Sequence, residues 1–318
     1  MSFLGGPPAP RIAWQATMKQ VGTAARERLS GYLFISPWLI GFLAFYAGPM
    51  LFSFAVSFTN WDFFKNMTFV GLRNYFRIFS PDEDALSGLC KTLLFVGLEV
   101  PLQLAGSLVI AQLLTEKLRG ANVARSLVYL PAVISGPAGG LIWRYMFNTQ
   151  TGILNYVLSF FGVKPVPWIE DPNIALFSII GTGLWAVGQP MILFLAALQG
   201  VPTVFYEAAE VDGTSRWRRF FSITLPMISP TILLNVVIIM INQFQVLAPL
   251  LVITSGGPAK ATYLYSFVEY NNAFKFLKMG YASALSWFLF IIMLCVTLLL
   301  FRSSRRWVYA ESGRGEIL

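Results

Sequence analysis

The sequence contains no histidine. That absence removes His-ligated metals, Ser–His and Cys–His nucleophile pairs, and imidazole acid–base chemistry. Only two cysteines occur, Cys90 and Cys295, one near the start of an apolar run and the other deep in the last one, so no disulfide framework is implied. Charge is scarce as well: 12% of residues are Asp, Glu, Lys or Arg, against about a quarter in soluble domains. No Gly-x-x-x-x-Gly-Lys-Ser/Thr phosphate loop is present, so nucleotide hydrolysis that powers this protein must come from another chain. Paired acids and nucleophile–base sets are missing from the apolar runs, which argues against an enzyme working inside a membrane.

What the sequence has in abundance is apolar length. Of its 318 residues 56% are hydrophobic, and several runs exceed the ~18 residues that mark a membrane span. The expected fold is an all-α membrane protein with six spans at about 33–58, 92–114, 126–147, 174–198, 230–252 and 281–301. These form one domain, 32–302, flanked by polar tails 1–31 and 303–318. The first run, Leu33–Phe58, is too long for a signal-peptide core and is expected to bend at Gly48-Pro49. Between spans 1 and 2, FVGLRNYFRIF (Phe69–Phe79) alternates aromatic and basic residues. It reads equally as a helix in the membrane interface or as a loop packed on the spans.

Six spans put both termini on one side. That side also carries the 2–3 loop (Lys117, Arg119, Arg125) and the 4–5 loop (Arg216, Arg218, Arg219). With Arg11, Lys19, Arg26 and Arg28 in the first tail and Arg302, Arg305, Arg306 and Arg314 in the last, it holds more Lys and Arg than the other side. The positive-inside rule therefore places tails and 4–5 loop in the cytoplasm. The net charge of +8 lies beside spans, where it sets orientation and meets lipid, and is no sign of a nucleic-acid partner.

Within the 4–5 loop (200–226), residues 207–226 read EAAEVDGTSRWRRFFSITLP, the most patterned internal stretch of the chain. Pro202 suits a first helical position, and 205–211 can continue for about two turns. Gly213 supplies a left-handed stop. Thr214 or Ser215 can cap a second short helix, which Pro226 is expected to end. Two short helices joined at a glycine and held by spans at both ends make a knob built to be gripped.

Several polar groups fall inside spans. Glu99 lies in span 2 beside Pro101 and Gln103. It either lines a path or is structural, bonded to backbone freed by Pro101 or reaching the outer interface. Span 4 is broken by glycines across 181–190, with Trp185 inside the break and Gln189-Pro190 at its end; the proline frees a backbone carbonyl there. On span 5, Asn235, Ile239, Asn242 and Val246 share a helical face, and Gln243 and Gln245 follow. Neutral amides suit sugar hydroxyls, and Trp185 or Phe244 could stack on a pyranose. The same amides also serve as interhelical glue at ~0.6–2 kcal/mol each. The candidates for a substrate path are Gln189, Asn242, Gln243, Ile239, Asn235, Trp185 and Glu99. An ion-coupled secondary transporter would need relays of such ionisable groups, and Glu99 is nearly alone.

The order Glu-Ala-Ala, three residues, Gly, nine residues, Ile-x-Leu-Pro is met by Glu207, Ala208, Ala209, Gly213, Ile223, Leu225 and Pro226. It resembles the cytoplasmic coupling loop of membrane subunits of binding-protein-dependent ABC importers, and Asp212 before the glycine resembles their sugar branch. Phe69–Phe79, Tyr129–Asn148 and the stretch from Thr254-x-Gly256-Gly257-Pro258 through Thr262, Tyr270 and Phe274 extend the resemblance to the maltose-type carbohydrate permease family. Thr214 departs from the alanine usual there. The extra spans and large external domain of the maltose transporter's longer subunit have no counterpart, so that subunit's substrate is not carried over.

The resemblance implies a type I importer permease fold whose coupling loop joins helices 4 and 5. It implies a second, similar permease and two ATP-binding subunits that hold the ATP and Mg, this chain binding no cofactor. An extracytoplasmic solute-binding protein would deliver a sugar or oligosaccharide; a polyol or glycerol-phosphate-type cargo stays open. Glu207, Ala208, Ala209, Asp212, Gly213, Arg218, Leu225 and Pro226 would form the loop seated on the ATPase. Charged groups would lie at its rim, the alanines would allow close approach at its centre, and ATP-driven closure would rock the spans between two access states.

Overall fold

The computed structural model describes residues 30–64, 66–80, 84–115 and 120–309. Most of the two expected tails, with Arg11, Lys19, Arg26, Arg28 and Arg314, and Lys117 and Arg119 of the 2–3 loop, lie outside these residues. The first helix, α1 (Ser30–Ser57), is apolar throughout. A π-turn over Leu43–Ala47, closed by the Gly48 N–H donating to the Leu43 carbonyl, precedes Gly48-Pro49, where a bend is expected. The segment up to Val56 forms a compact unit of its own, and the remainder forms the second.

In the second unit, α2 (Arg73–Ile78) is the aromatic–basic segment. It is a packed loop helix: the Asn74 amide donates to the Ser57 and Thr59 carbonyls at 2.9 and 2.8 Å. Arg77 lies 4.7 Å over the Tyr281 ring, and Phe79 meets Phe288 edge-on. The long helix α3 (Ala85–Thr115) starts seven residues before the expected span 2, since nothing in 85–91 breaks a helix.

Span 3 is not the single helix expected over 126–147. It consists of α4 (Ala121–Val133) and α5 (Gly136–Met146), which meet at 102°. Ile134 and Ser135 are extended between them, and Pro137 sits in the first turn of α5, so the backbone hydrogen bonds cannot run through. The turned helix reaches the segment 248–252: a methyl on Gly140 would lie 3.0 Å from Val252 Cβ, and one on Gly136 3.3 Å from Ala248 Cβ. Small residues at such contacts let backbones approach where lipid removes the hydrophobic drive. The turn that follows is organised by Asn155 on α6 (Ile153–Ser159), which donates to the Thr149 and Val166 carbonyls and accepts from Val166 N and Trp168 Nε1.

Span 4 is broken as its glycines suggest, into α7 (Ala175–Gly183), a 3-10 turn at Leu184–Ala186, and α8 (Gly188–Gln199), with a 45° bend. After the 4–5 loop come α12 (Ser229–Phe244) and α13 (Ala248–Ile253), which together make span 5. A loop with α14 (Tyr265–Tyr270) leads to α15 (Met279–Ser304), span 6. Among the described residues four helices are long and apolar enough to cross a membrane, and up to six spans result if each bent pair counts as one. No strand occurs among the described residues; a lone bridge pairs Thr59 with Phe69.

The core has two parts. One joins α3, α7, α12, α14 and α15 through Phe95, Ile179, Phe244, Tyr265 and Leu285. The other joins α3 and α8 through Ala111, Met191, Phe194 and Leu198, with Ile228 from the end of the 4–5 loop. The break in span 4 falls between them, and α3 runs through both. On the far side from the 4–5 loop, the turn 254–264 is tied down by a Thr254–Thr262 hydroxyl pair at 2.7 Å and by Lys260 Nζ on the Asp84 carboxylate, also 2.7 Å. The hydrogen bond to Asp84 raises the Lys260 pKa above its ordinary value.

Candidate functional site

The 4–5 loop folds into the expected knob. Here α9 (Thr203–Val211) is capped by Pro202, which stands one residue before the helix and not at its first position. Asp212 ends the helix, and Gly213 follows at φ +67°, a conformation only glycine adopts without strain. The Gly213 N–H donates to the Glu210 carbonyl and the Thr214 N–H to the Ala209 carbonyl, both at 3.0 Å, the paired bonds of a Schellman stop. Thr214 Oγ1 adds a second bond to the same Ala209 carbonyl. The residue that departs from the family pattern therefore reinforces the turn. Ser215 then caps α10 (Arg216–Arg219) by accepting from Arg218 N.

Pro226 does not end this second helix. The chain continues through a π-turn at Phe220–Thr224 and α11 (Leu225–Met227), and the helix stops at Ile228. Proline lacks the N–H that an α-helix would aim four residues back, so the turn before it widens, and Leu225 N reaches Phe220 O. The helices of the knob are stapled by a 2.8 Å Tyr206–Thr224 hydroxyl bond and by Glu210 with Arg219 at 3.7 Å. Glu210 is three-quarters exposed, so the ion pair contributes under about 1 kcal/mol and the partly buried hydroxyl pair matters more.

Glu207, Ala208, Asp212 and Arg218 face solvent, while Leu225 and Pro226 are half-buried. Ala209 is buried inside the knob, so of the two alanines only Ala208 offers close approach to a partner. Beside them stands an exposed apolar crown that the motif does not contain: Val204, Phe205, Val211 (89% exposed), and Trp217 stacked on Phe221. Their signal in the sequence was large apolar side chains inside an otherwise polar loop.

The intramembrane candidates separate into two groups. Gln189 and Asn242 are exposed, and Gln243 and Trp185 are half-buried. Asn235 and Ile239 are closed inside at 1% and 4% exposure, so the shared face on α12 is accessible only toward Asn242. Trp185 packs edge-on against Trp143 at 5.8 Å. Glu99 is 1% exposed, with neither carboxyl oxygen hydrogen-bonded, and its head lies against the bare Cα of Gly183.

One turn along α3, Gln103 does what its position in the sequence did not announce. Its amide donates to the Ala186 carbonyl at 3.1 Å, and its own carbonyl accepts from Gln243 at 3.2 Å. Ala186 O is the acceptor that Pro190, four residues on, cannot serve, so Gln103 satisfies the broken turn. Thus one face of α3 addresses the break in span 4 and ties it to span 5. The arrangement links a solvent-exposed knob, through two short helices and the spans that carry it, to a hinge-like break lined by neutral amides. Among the described residues no group of His, Cys, Asp and Glu side chains could hold a metal ion.

Comparison with known proteins agrees with this architecture. Residues 103–309 match the family described as "binding-protein-dependent transport system inner membrane component". The chain is 39% identical over 299 residues to a probable ABC transporter permease protein, YesP, of Bacillus subtilis, covering 93% of this chain and 96% of that one. It is 34% identical over 291 residues to the trehalose/maltose transport system permease protein MalF of Thermococcus litoralis, covering 91% and 95%. Its fold is shared by a chain in the crystal structure of a bacterial ABC transporter that imports alginate, at TM-score 0.78 and 24% identity, covering 90% and 99%. The all-helical, multi-pass chain has the type I importer permease fold. It belongs to the family of binding-protein-dependent transport system inner membrane components.

Proposed function

We propose that this chain is one permease subunit of an ATP-driven sugar importer, forming half of the path for a sugar or oligosaccharide brought by an extracytoplasmic binding protein. A second, similar permease forms the other half. Two ATPase subunits, which bind ATP and Mg, dock on the knob from the cytoplasm, where both termini of this chain also lie. The observation that carries the proposal is the knob itself. A Schellman-closed helix, a hydroxyl staple and a helical path from α10 through the π-turn to Met227 make it stiff, while Glu207, Ala208 and the Trp217–Phe221 crown remain exposed. A stiff body exposing a contiguous apolar surface is suited to docking and to transmitting rigid-body motion. Closure of the ATPase pair would move the knob and so tilt α8 and α12 about the break at 184–186.

Neutral amides at Gln189, Asn242 and Gln243 support a hydroxyl-rich cargo. The chain contributes no catalytic group; hydrolysis belongs to the ATPase. The test is purification of the complex with uptake into proteoliposomes. Glu207→Ala, Trp217→Ala and Gly213→Pro are expected to weaken ATPase retention and uncouple hydrolysis from uptake. Uptake that follows a proton or sodium gradient without ATP, or a complex that retains its ATPase and imports normally in all three variants, would overturn it.

A further inference from the structure

On the side away from the knob, α12, α14 and α15 surround a cavity of about 390 Å³, within the ~300–1,000 Å³ range of small-molecule sites. Its polar wall holds Gln245, Ser266, Glu269 and Ser286, and its aromatic wall holds Tyr270 and Phe274. Glu269 is held in place: Ser286 Oγ donates to its Oε1. The Glu269 side chain lines the cavity. Gln245 is engaged by a weak contact to Met293 Sδ at 3.8 Å, which a better acceptor would displace. Tyr270 and Phe274 pair at 5.2 Å, and Phe274 is 65% exposed, a ring face ready for stacking.

We propose that this cavity is a recognition subsite for a neutral pyranose sugar at the outer mouth of the translocation path. Carboxylate oxygens accept from two adjacent hydroxyls, the Gln245 amide donates and accepts beside them, and the aromatic pair covers the apolar face of the ring. The neighbouring cations are turned elsewhere, Lys275 over the Phe267 ring and Lys278 over the Phe276 ring, each near 5.5–5.8 Å. Burial raises the pKa of Glu269, and with both ammonium groups turned away the cavity offers an anionic ligand no compensating charge, which disfavours uronates and phosphorylated polyols. Position supports the role. Gln245 follows the end of α12 opposite the knob, one turn beyond Asn242 and also exposed, so a sugar leaving this subsite meets the amides of span 5 next.

The inference rests on the importer reading and names its cargo class. The test uses the whole complex in nanodiscs and saturation-transfer NMR with a panel of glucose, galactose, xylose, rhamnose, maltose and cellobiose, with glucuronate and glycerol 3-phosphate as anionic probes. At least one neutral sugar is expected to show transfer, and Glu269→Gln and Phe274→Ala are each expected to weaken it roughly tenfold, the worth of one hydrogen bond to an acidic group and of one stacked ring respectively. Phe274 is mostly exposed, so its variant keeps the fold. Neutral sugars binding wild type and both variants alike, or preferred binding of the anions, would overturn the subsite. ATP-dependent uptake, measured on the same samples, would then leave the importer reading standing. ATP-dependent uptake with no transfer from any neutral sugar would overturn the subsite and its cargo class together, whereas loss of ATP dependence would remove the parent reading.

Discussion

The contact between Glu99 and Gly183 gives a prediction whose sign depends on the tertiary structure. A methyl at Gly183 would fall on Glu99 Oε1 and Cδ and within 2.8 Å of Oε2, so the carboxyl head must leave its place. Taken alone, Gly→Ala at the end of α7 should stabilise by up to about 1 kcal/mol through helix propensity. The clash works against it. Glu99 is 1% exposed and sits between packed helices, so its head has no open space to enter, and overpacking of this kind costs about 1–3 kcal/mol. Neither oxygen loses a hydrogen bond on moving, which leaves sterics as the whole cost.

Gly183→Ala is therefore expected to destabilise by about 1–2 kcal/mol net. Glu99→Ala removes the obstacle and an unpartnered polar group, so the double variant should regain most of the loss, a coupling of about 1–3 kcal/mol. Glu99→Gln keeps the bulk and should give no rescue. The assay is a double-mutant cycle on unfolding of the permease in lipid, followed by thermal or denaturant titration. Additive effects, or a stabilised Gly183→Ala, would refute the argument that Glu99 is packed on this glycine.

Other outcomes follow from the same geometry. Gly213→Ala should cost about 1–2 kcal/mol locally through its left-handed backbone and disturb the knob, read as uptake lost ahead of ATPase activity. Gln103→Leu strands the Ala186 carbonyl and Gln243 and should lower stability by about 1–3 kcal/mol, measured by melting in detergent. Gly188→Ala would press a methyl to 2.8 Å from Tyr129 Cα and against the Val128 carbonyl. Because that is backbone and cannot yield, a loss of about 3 kcal/mol or more is expected, seen as failure to assemble. Lys260, its pKa raised by the bond to Asp84, contributes stability that is complete below its ordinary value and lost only as pH rises through the higher folded one. Asp84→Asn should thus leave stability across pH 6–9 changed by under about 1 kcal/mol.

Length and composition determined the all-helical membrane fold, because a run of ~20 apolar residues has one stable state in lipid, with its backbone bonded within itself. The knob was legible for a similar reason. Gly213 and Ser215 act on their nearest neighbours, whereas the widened turn at 220–224 that keeps the helix running past Pro226, the place of Pro202 before the helix and the burial of Ala209 were not legible. What the sequence could not decide is which side of a span each polar group faces once bent helices cross. Asn235 and Asn242 lie on one helical face, yet one is sealed and the other open. The 102° turn in span 3 needs Gly140 to meet Val252, more than a hundred residues away. Gln103 gains its role only because α3 passes the carbonyl that Pro190 leaves bare. Local chemistry selects the helices; long-range packing, which satisfies or buries what those helices leave over, selects the site.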